Sequence, residues 1–445
     1  MCVRPKEADF EVLLSHAKKG GALGTDLRGN TPSLIKAVQS QVRKWKPASA
    51  AKVRSITKPP FQVLDLFCGC GGMSLGFAAL SRVIPILEIV GGCDIEADAL
   101  ETYERNFSAP GVNMDIRELA ENASAISDFT NLLPSFDRSR RTILIGCAPC
   151  QGFTSHRKKH WRKDDHRNTL MGAFATIAVN LDPECIIIEN VPEILSHKYW
   201  SHFANVQAVL SKAGYQVAQT IYNAASFGVP QDRFRALIVA MKKPFLLPQP
   251  LLLSSSRYKS VRSAIGKLPP VEPGVPHRLD PLHRSAAHHE STLKTIRAIP
   301  KDGGSRPAGV GPKCLDRVRG FYDVYGRLPW DRPAITITHY ARNPASGRYV
   351  HPEQDRGLTM REAALLQSFP KGFKFLGTFD SVFKQIGEAV PPLFAAAVAA
   401  SCIIELLSRE PLPNEGKQAV IPVISPVSNS YSSVIAGMKM ARKEK

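Results

Sequence analysis

Cys147-Ala148-Pro149-Cys150 holds residue types able to make and break a covalent bond. It follows the apolar run Arg141-Thr142-Ile143-Leu144-Ile145-Gly146. A buried strand there would deliver the thiols to its carboxyl end, the edge at which α/β sheets bind ligands. Two other chemistries use Cys-x-x-Cys: a dithiol redox pair and half of a zinc site. Zinc needs a second pair of ligands, and Cys68 and Cys70 stand one residue apart within a Gly-rich turn, so no metal is expected. Glu189-Asn190-Val191-Pro192 closes another apolar run. A Glu in that position alone is usually a solvated turn residue. Opposite a Cys on the neighbouring strand it becomes a candidate general acid. In Gln231-Asp232-Arg233-Phe234-Arg235 the two arginines alternate and so share one face of an extended chain. Their guanidinium groups suit a phosphate or a carbonyl oxygen. Asp232 reads as a surface residue.

A second constellation lies upstream. Asp65-Leu66-Phe67-Cys68-Gly69-Cys70-Gly71-Gly72 runs from a strand into a helix starting near Met73. Such a turn brings backbone close to a ligand and aims helix N–H groups at it. Asp94-Ile95 ends the next strand, where a carboxylate can accept from ribose hydroxyls. Asp115-Ile116, after a third segment, is placed to contact an adenine. A nicotinamide dinucleotide is a poor fit, because the Gly-x-Gly-x-x-Gly spacing fails at Ser74. Asp65 would also repel a pyrophosphate and suits a cationic, amino-acid-bearing cofactor. The expectation is S-adenosylmethionine.

The elements that must hold these groups are legible as periodicity. FQVLDLF, PILEIVGGCD, RTILIGC, CIIIEN and RFRALIVA read as buried strands alternating with helical stretches, which argues for a parallel sheet covered on both faces. Residues 60–243 form this catalytic and cofactor-binding domain. Residues 244–330 are rich in Pro, Ser, Arg, His and Gly and read as an inserted recognition region. Residues 331–410 regain helical pattern and return to the catalytic domain. Residues 1–59 hold 12 Lys/Arg against 4 Asp/Glu and read as a basic extension, partly helical. Residues 411–445 read as a flexible tail.

Composition narrows the partner. The apolar fraction of 44% is that of an ordinary globular protein, whereas the formal net charge of +19 is not. An excess of that sign and size suits a polyanion. Nine cysteines without regular spacing, no signal-like leader and no apolar run of membrane-spanning length imply a reducing cytoplasm and no membrane.

DLFCGCGG, APCQGF, ENVP, QDRFR, RGLTMREAALLQSFP and QIGEAVPP occur in this order. In that order they resemble the cytosine-5 DNA methyltransferases of prokaryotic restriction–modification systems, over residues 61–243 and 327–405. The resemblance implies an α/β fold with a Rossmann-like S-adenosylmethionine-dependent methyltransferase sheet and a smaller, loop-rich target-recognition domain. It implies that Phe67 packs on the adenine ring, that Gly69 and Gly72 lie under the methionine part with Cys70 between them, and that Asp94 binds the ribose and Asp115 the adenine amine. Ile95 and Ile116 flank those acids. Cys150, Glu189 and Arg235 fall on the family's catalytic positions, with Arg233 in support. Double-stranded DNA is the implied substrate, visited by a monomer, and a cognate restriction endonuclease encoded nearby is an expected partner.

Two further readings concern DNA and the cofactor. A stacked cytosine is out of reach, so the base must be flipped out. The cationic run Arg157, Lys158, Lys159, Arg162 and Lys163, just after Cys150, suits phosphate contact and closure over flipped DNA. The Gly-rich loop ending at Arg306 could enter a groove. Glu388 stands where the family usually has Asn, at the cofactor's amino-acid end, and is the one departure from the pattern.

Overall fold

The computed structural model describes residues 27–47, 58–148, 170–317, 323–408, 412 and 420–427. All five apolar runs are strands: β1 (Phe61–Leu66), β2 (Leu87–Asp94), β4 (Arg141–Gly146), β5 (Cys185–Asn190) and β7 (Phe234–Met241). Two more complete the sheet, the three-residue β3 (Gly111–Asn113) and the partly polar β6 (Gln216–Asn223). Their order is β3-β2-β1-β4-β5-β7-β6. The sheet is not wholly parallel, as the strand–helix alternation suggests. β7 runs antiparallel to both β5 and β6. The ten residues between β6 and β7 are too few for a helical crossover, so the chain turns back on itself.

The helices that concern the site and its supports are α1 (Thr31–Arg43), α2 (Gly72–Ser81), α3 (Ala97–Phe107), α4 (Ile116–Ala120), α5 (Ala123–Asn131) and α6 (Leu170–Leu181). After them come α7 (Trp200–Lys212), α8 (Glu290–Arg297), α9 (Met360–Leu366), α10 (Phe379–Glu388) and α11 (Pro392–Leu407). Strand residues alternate between two cores. Val63, Ile145, Ile187 and Leu237 meet α1, α2 and α11 on one face. Leu64, Leu144, Ile186 and Ile238 meet α4 to α7 on the other. The stretch Phe379–Leu407 has the length and hydropathy of a membrane span, yet its most apolar window is wholly buried, as a core helix requires. α2 and α11 approach so closely that a Cβ on Gly76 would lie 2.4 Å from the carbonyl carbon of Ala395.

Part of the basic extension belongs to this core. Leu34, Ile35, Val38 and Val42 of α1 are buried. The Gln39 amide donates to the carbonyls of Phe227 and Leu393 at 2.7 and 2.9 Å, tying the helix to two distant segments. The tail is likewise not free throughout. Residues 420–427 lie along β6, with the Val423 N–H donating to Gln219 O at 2.9 Å.

The smaller core comprises Ile296, Ile299, Val324, Tyr325 and Val350, so it draws on chain from both sides of the expected boundary at 330. Few apolar groups serve it, and arginines supply the rest. Buried Arg327 donates to the carbonyls of Ile296, Ile299, His351 and Gln354 and pairs with Asp355. Arg356, also buried, grips both oxygens of Glu362 at 2.8 Å. Glu362 in turn closes a capping box with Thr359 at the start of α9. Burial alone would raise the Glu362 carboxyl, but the Arg356 charge and its hydrogen bonds outweigh that and hold it at about 2.

A carboxyl depressed below its ordinary value stabilises the fold above that value and loses the contribution as pH falls toward 2. Glu362→Gln leaves Arg356 buried without its counter-charge and is expected to cost about 3–5 kcal/mol at pH 7. Urea denaturation would measure this, and a loss below about 1 kcal/mol would show the pair to be dispensable.

Candidate active site

Residue parity gathers the chemistry on one side of the sheet. Asp65, Glu189 and Arg235 continue the alternation of Val63, Ile187 and Leu237, and therefore face the layer containing α2. Cys147 follows in the same phase and packs, half-buried, against that core. β1, β4 and β5 end at this edge, whereas β7 begins here because it is antiparallel. Glu189 pairs across the ladder with Leu237, so Arg235 is its diagonal neighbour on the same face. The two side chains meet, with Arg235 Nε 3.0 Å from Glu189 Oε1. This is an ion pair by approach rather than by alignment, since Oε1 has no hydrogen-bonded partner among the described residues. Burial, with Glu189 and Asp65 close by, pushes the Cys147 thiol well up and keeps it protonated, as expected of a packing residue.

Cys150 and the cations Arg157, Lys158, Lys159, Arg162 and Lys163 lie outside the described residues. Arg233 is described, and its guanidinium is turned into the protein. It donates to the carbonyls of Ile337, Gly387 and Ala389, at 3.1, 3.2 and 3.1 Å. It thus fastens the end of α10 to the sheet. Arg306 is described too. Its Nη1 donates to Val310 O at 2.7 Å and pairs with Asp316 at 2.8 Å, which ties the loop together.

The cofactor turn separates its glycines by task. Phe67, Gly69 and Gly71 have φ of 59°, 49° and 90°. At Gly71 a Cβ would strike the ring of Phe107 at 2.1 Å. At Gly72 it would strike Val390 O at 2.4 Å, so this residue is bare to admit the segment after α10. Around a Cβ on Gly69 nothing lies within 4 Å among the described residues, and that open space is where a ligand can rest. The Gly69 N–H donates to Asp94 Oδ2 at 2.8 Å, and Glu96 N–H to Oδ1 at 3.0 Å. Asp94 therefore fixes the turn as well as rimming it. Ile95 beside it is 63% exposed, an apolar surface awaiting a partner. Ile116 is buried in the far core and offers backbone only. Asp115 caps α4 by accepting from Arg117 N–H at 2.9 Å and pairs with the Arg117 side chain. Cys70 is buried, its thiol 3.5 Å from Gln385 O. Phe67, half-buried, packs against the second core.

Beneath the turn sits a residue not among the named cofactor contacts. Asp65 is fully buried; Ser74 Oγ donates to its Oδ2 at 2.6 Å, and Oδ1 has no partner among the described residues. Burial pushes its carboxyl up to about 8, against the pull of the Ser74 bond. An open cradle over Gly69, an unsatisfied buried carboxyl oxygen below it and exposed Ile95 beside it fit a cationic nucleoside such as S-adenosylmethionine. Glu388 lies at the rim, with His339 Nδ1 at 3.8 Å. Burial, together with Arg342 and Lys384, lowers the His339 imidazole.

Comparison with known proteins places the chain in a family. A family model described as C-5 cytosine-specific DNA methylase matches residues 61–404. The Type II methylase M.HgiDII of Herpetosiphon aurantiacus is 31% identical over 349 residues, 76% of this chain and 94% of its own. The Type II methyltransferase M1.HphI of Haemophilus parahaemolyticus is 32% identical over 345 residues, 76% of this chain and 86% of its own. Among solved structures, an E. coli prophage protein provisionally assigned as a DNA modification methyltransferase superposes with a TM-score of 0.60 at 22% identity. That match covers 78% of this chain and all of its own. The Entamoeba histolytica methyltransferase EhMeth gives 0.52 at 17% identity, over 79% of this chain and all of its own. The two structures share the fold.

A carboxyl raised from 3.8 to about 8 costs the fold nothing below pH 4 and destabilises it progressively as pH rises from there through 8. Asp65→Asn should remove that slope and raise the melting temperature of the cofactor-free protein at pH 8. A lower melting temperature with the slope intact would show that the charged form is the native one.

Proposed function

The chain belongs to the C-5 cytosine-specific DNA methylases, and from that membership we propose which of its residues carry the reaction. It is an S-adenosylmethionine-dependent DNA (cytosine-5-)-methyltransferase of the Type II restriction–modification kind, working in the cytoplasm as a monomer on double-stranded DNA. A cognate endonuclease is its expected partner. The observation that carries the residue assignment is the Glu189–Arg235 pair, 3.0 Å apart at the sheet edge on the face of the cofactor turn.

Carbon 5 of cytosine is a weak nucleophile. Addition of the Cys150 thiolate to carbon 6 makes the ring an enamine and gives carbon 5 its reactivity. Glu189 protonates or hydrogen-bonds N3 as that bond forms, and Arg235 stabilises charge at the ring's carbonyl oxygen. Arg235 on Glu189 supports the reading, because the pair keeps both side chains extended toward one point until a base separates them. When bound, S-adenosylmethionine supplies an electrophilic methyl group on a sulfonium. Phe67, Gly69, Asp94, Ile95 and Asp115 would hold it, with Cys70 and Gly72 shaping the turn and Ile116 offering its backbone. Glu388 would lie near its amino-acid end. Water takes the carbon-5 proton as the Cys150 sulfur leaves as thiolate, which restores the aromatic ring. Arg157, Lys158, Lys159, Arg162 and Lys163 supply the charge for closure on DNA.

Bisulfite sequencing of a host genome expressing the protein is expected to show methylated cytosine within one short motif. Unmodified DNA with modified transfer RNA would replace the substrate reading. Cys150→Ala should abolish covalent trapping on DNA containing 5-fluorocytosine, and an adduct that persists would move the nucleophile elsewhere. Calorimetric titration should show S-adenosylmethionine binding by the unaltered chain. Absence of binding, restored by Glu388→Asn, would mark the Glu as disabling.

A further inference from the structure

The family match ends at residue 404, yet the described chain continues in a segment that touches both supports of Glu189. Residues 420–427 run beside β6, the outer strand of the sheet. The Val423 N–H donates to Gln219 O at 2.9 Å, and the Gln219 amide donates back to Val423 O at 2.7 Å. Thr220 Oγ1 donates to Ile421 O at 3.1 Å. Farther along, Val427 N–H donates to Leu195 O at 2.9 Å and His197 N–H to Val427 O at 3.1 Å. Pro422 and Pro426, which lack an N–H, alternate with the donors Val423 and Val427, as suits an edge. Val423 and Val427 also pack against the second core.

The rows of the sheet show what these contacts reach. Thr220 is in register with Leu237, and Leu237 with Glu189. Gln219, Ile238 and Ile188 form the adjacent row. On its other side β5 pairs with β4 only as far as Ile188, so Glu189 stands just past the end of that ladder. The chain then enters a short 3₁₀ turn, Pro192–Leu195, whose last carbonyl is the one Val427 holds. The geometry points to residues 420–427 as a positioning strap for Glu189. It braces from outside β6, the strand next to the one that carries Arg235, and the turn through which the chain leaves β5 after Glu189. This rests on the proposed role of Glu189. The competing account is an edge cover that contributes stability alone.

The test uses the full chain, with the methyl group transferred from labelled S-adenosylmethionine to unmethylated genomic DNA in a single turnover, enzyme in excess. Val427→Pro deletes the N–H that holds Leu195, and Val427→Ala keeps it while losing the packing. Val427→Pro is expected to slow methyl transfer about tenfold, since small misplacements of a catalytic group are costly. Val427→Ala should stay within about twofold, and cofactor affinity by calorimetry should be unchanged in both. Gln219→Met, which loses only the side-chain bond to Val423, provides a milder variant, slower by about two- to threefold. In a double-mutant cycle, Val427→Pro should add nothing to Glu189→Gln. Wild-type rates in Val427→Pro and Gln219→Met, or full additivity in the cycle, would overturn the strap. A wild-type rate in Glu189→Gln would instead remove the assigned role of Glu189. A slow Val427→Pro beside it would show the strap acting by some other route, which also defeats the proposal.

Discussion

One reversed strand organises the site. Had β7 run parallel to β5, its first residues would lie at the far end of the sheet from Glu189, and Arg235 could not reach it. The short return from β6 forces the reversal, and the reversal brings a strand's beginning to its neighbour's end. Strict alternation then decides the face. Asp65, Cys147, Glu189 and Arg235 need no special loop conformations to converge, only four elements in phase at one edge.

The second constraint is the closeness of the layer above. Gly72 and Gly76 let α2 lie against the segment around Val390 and against α11 with backbone touching backbone. Arg233 reinforces the same joint from the sheet side by holding the carbonyls of Gly387 and Ala389. Motifs more than 300 residues apart in the chain therefore share one rigid floor, on which a ligand over Gly69 would lie.

Much of this was readable from residue order, and the failures have physical causes. Long apolar strands announce themselves; β3 is three residues long, and β6 carries Gln216 and Gln219 because part of its side-chain complement serves an edge. α1 has a clear helical stripe in Leu34, Ile35, Val38 and Val42, but flanking lysines and arginines dilute it. Two prolines make residues 420–427 look like loop, although proline is compatible with an outer strand. Types and position singled out Glu189 and the alternating Arg233 and Arg235, whereas the Glu189–Arg235 contact and the partners of Arg233 and Arg306 could not be read that way. A guanidinium's partners depend on which carbonyls the fold brings near, and carbonyls are common to every residue.

That last property has a consequence for the smaller unit. Arg327 and Arg348 organise it mainly by gripping main-chain oxygens, at Ile296, Ile299, His351, Gln354, Gly303 and Gly304. A scaffold fastened through the peptide backbone is indifferent to the side chains it carries. Its loops can exchange residues while their course through space is kept. The part of the protein that looks least ordered by composition is thus the part most tolerant of side-chain exchange, with buried Arg327 and half-buried Arg348 holding its backbone.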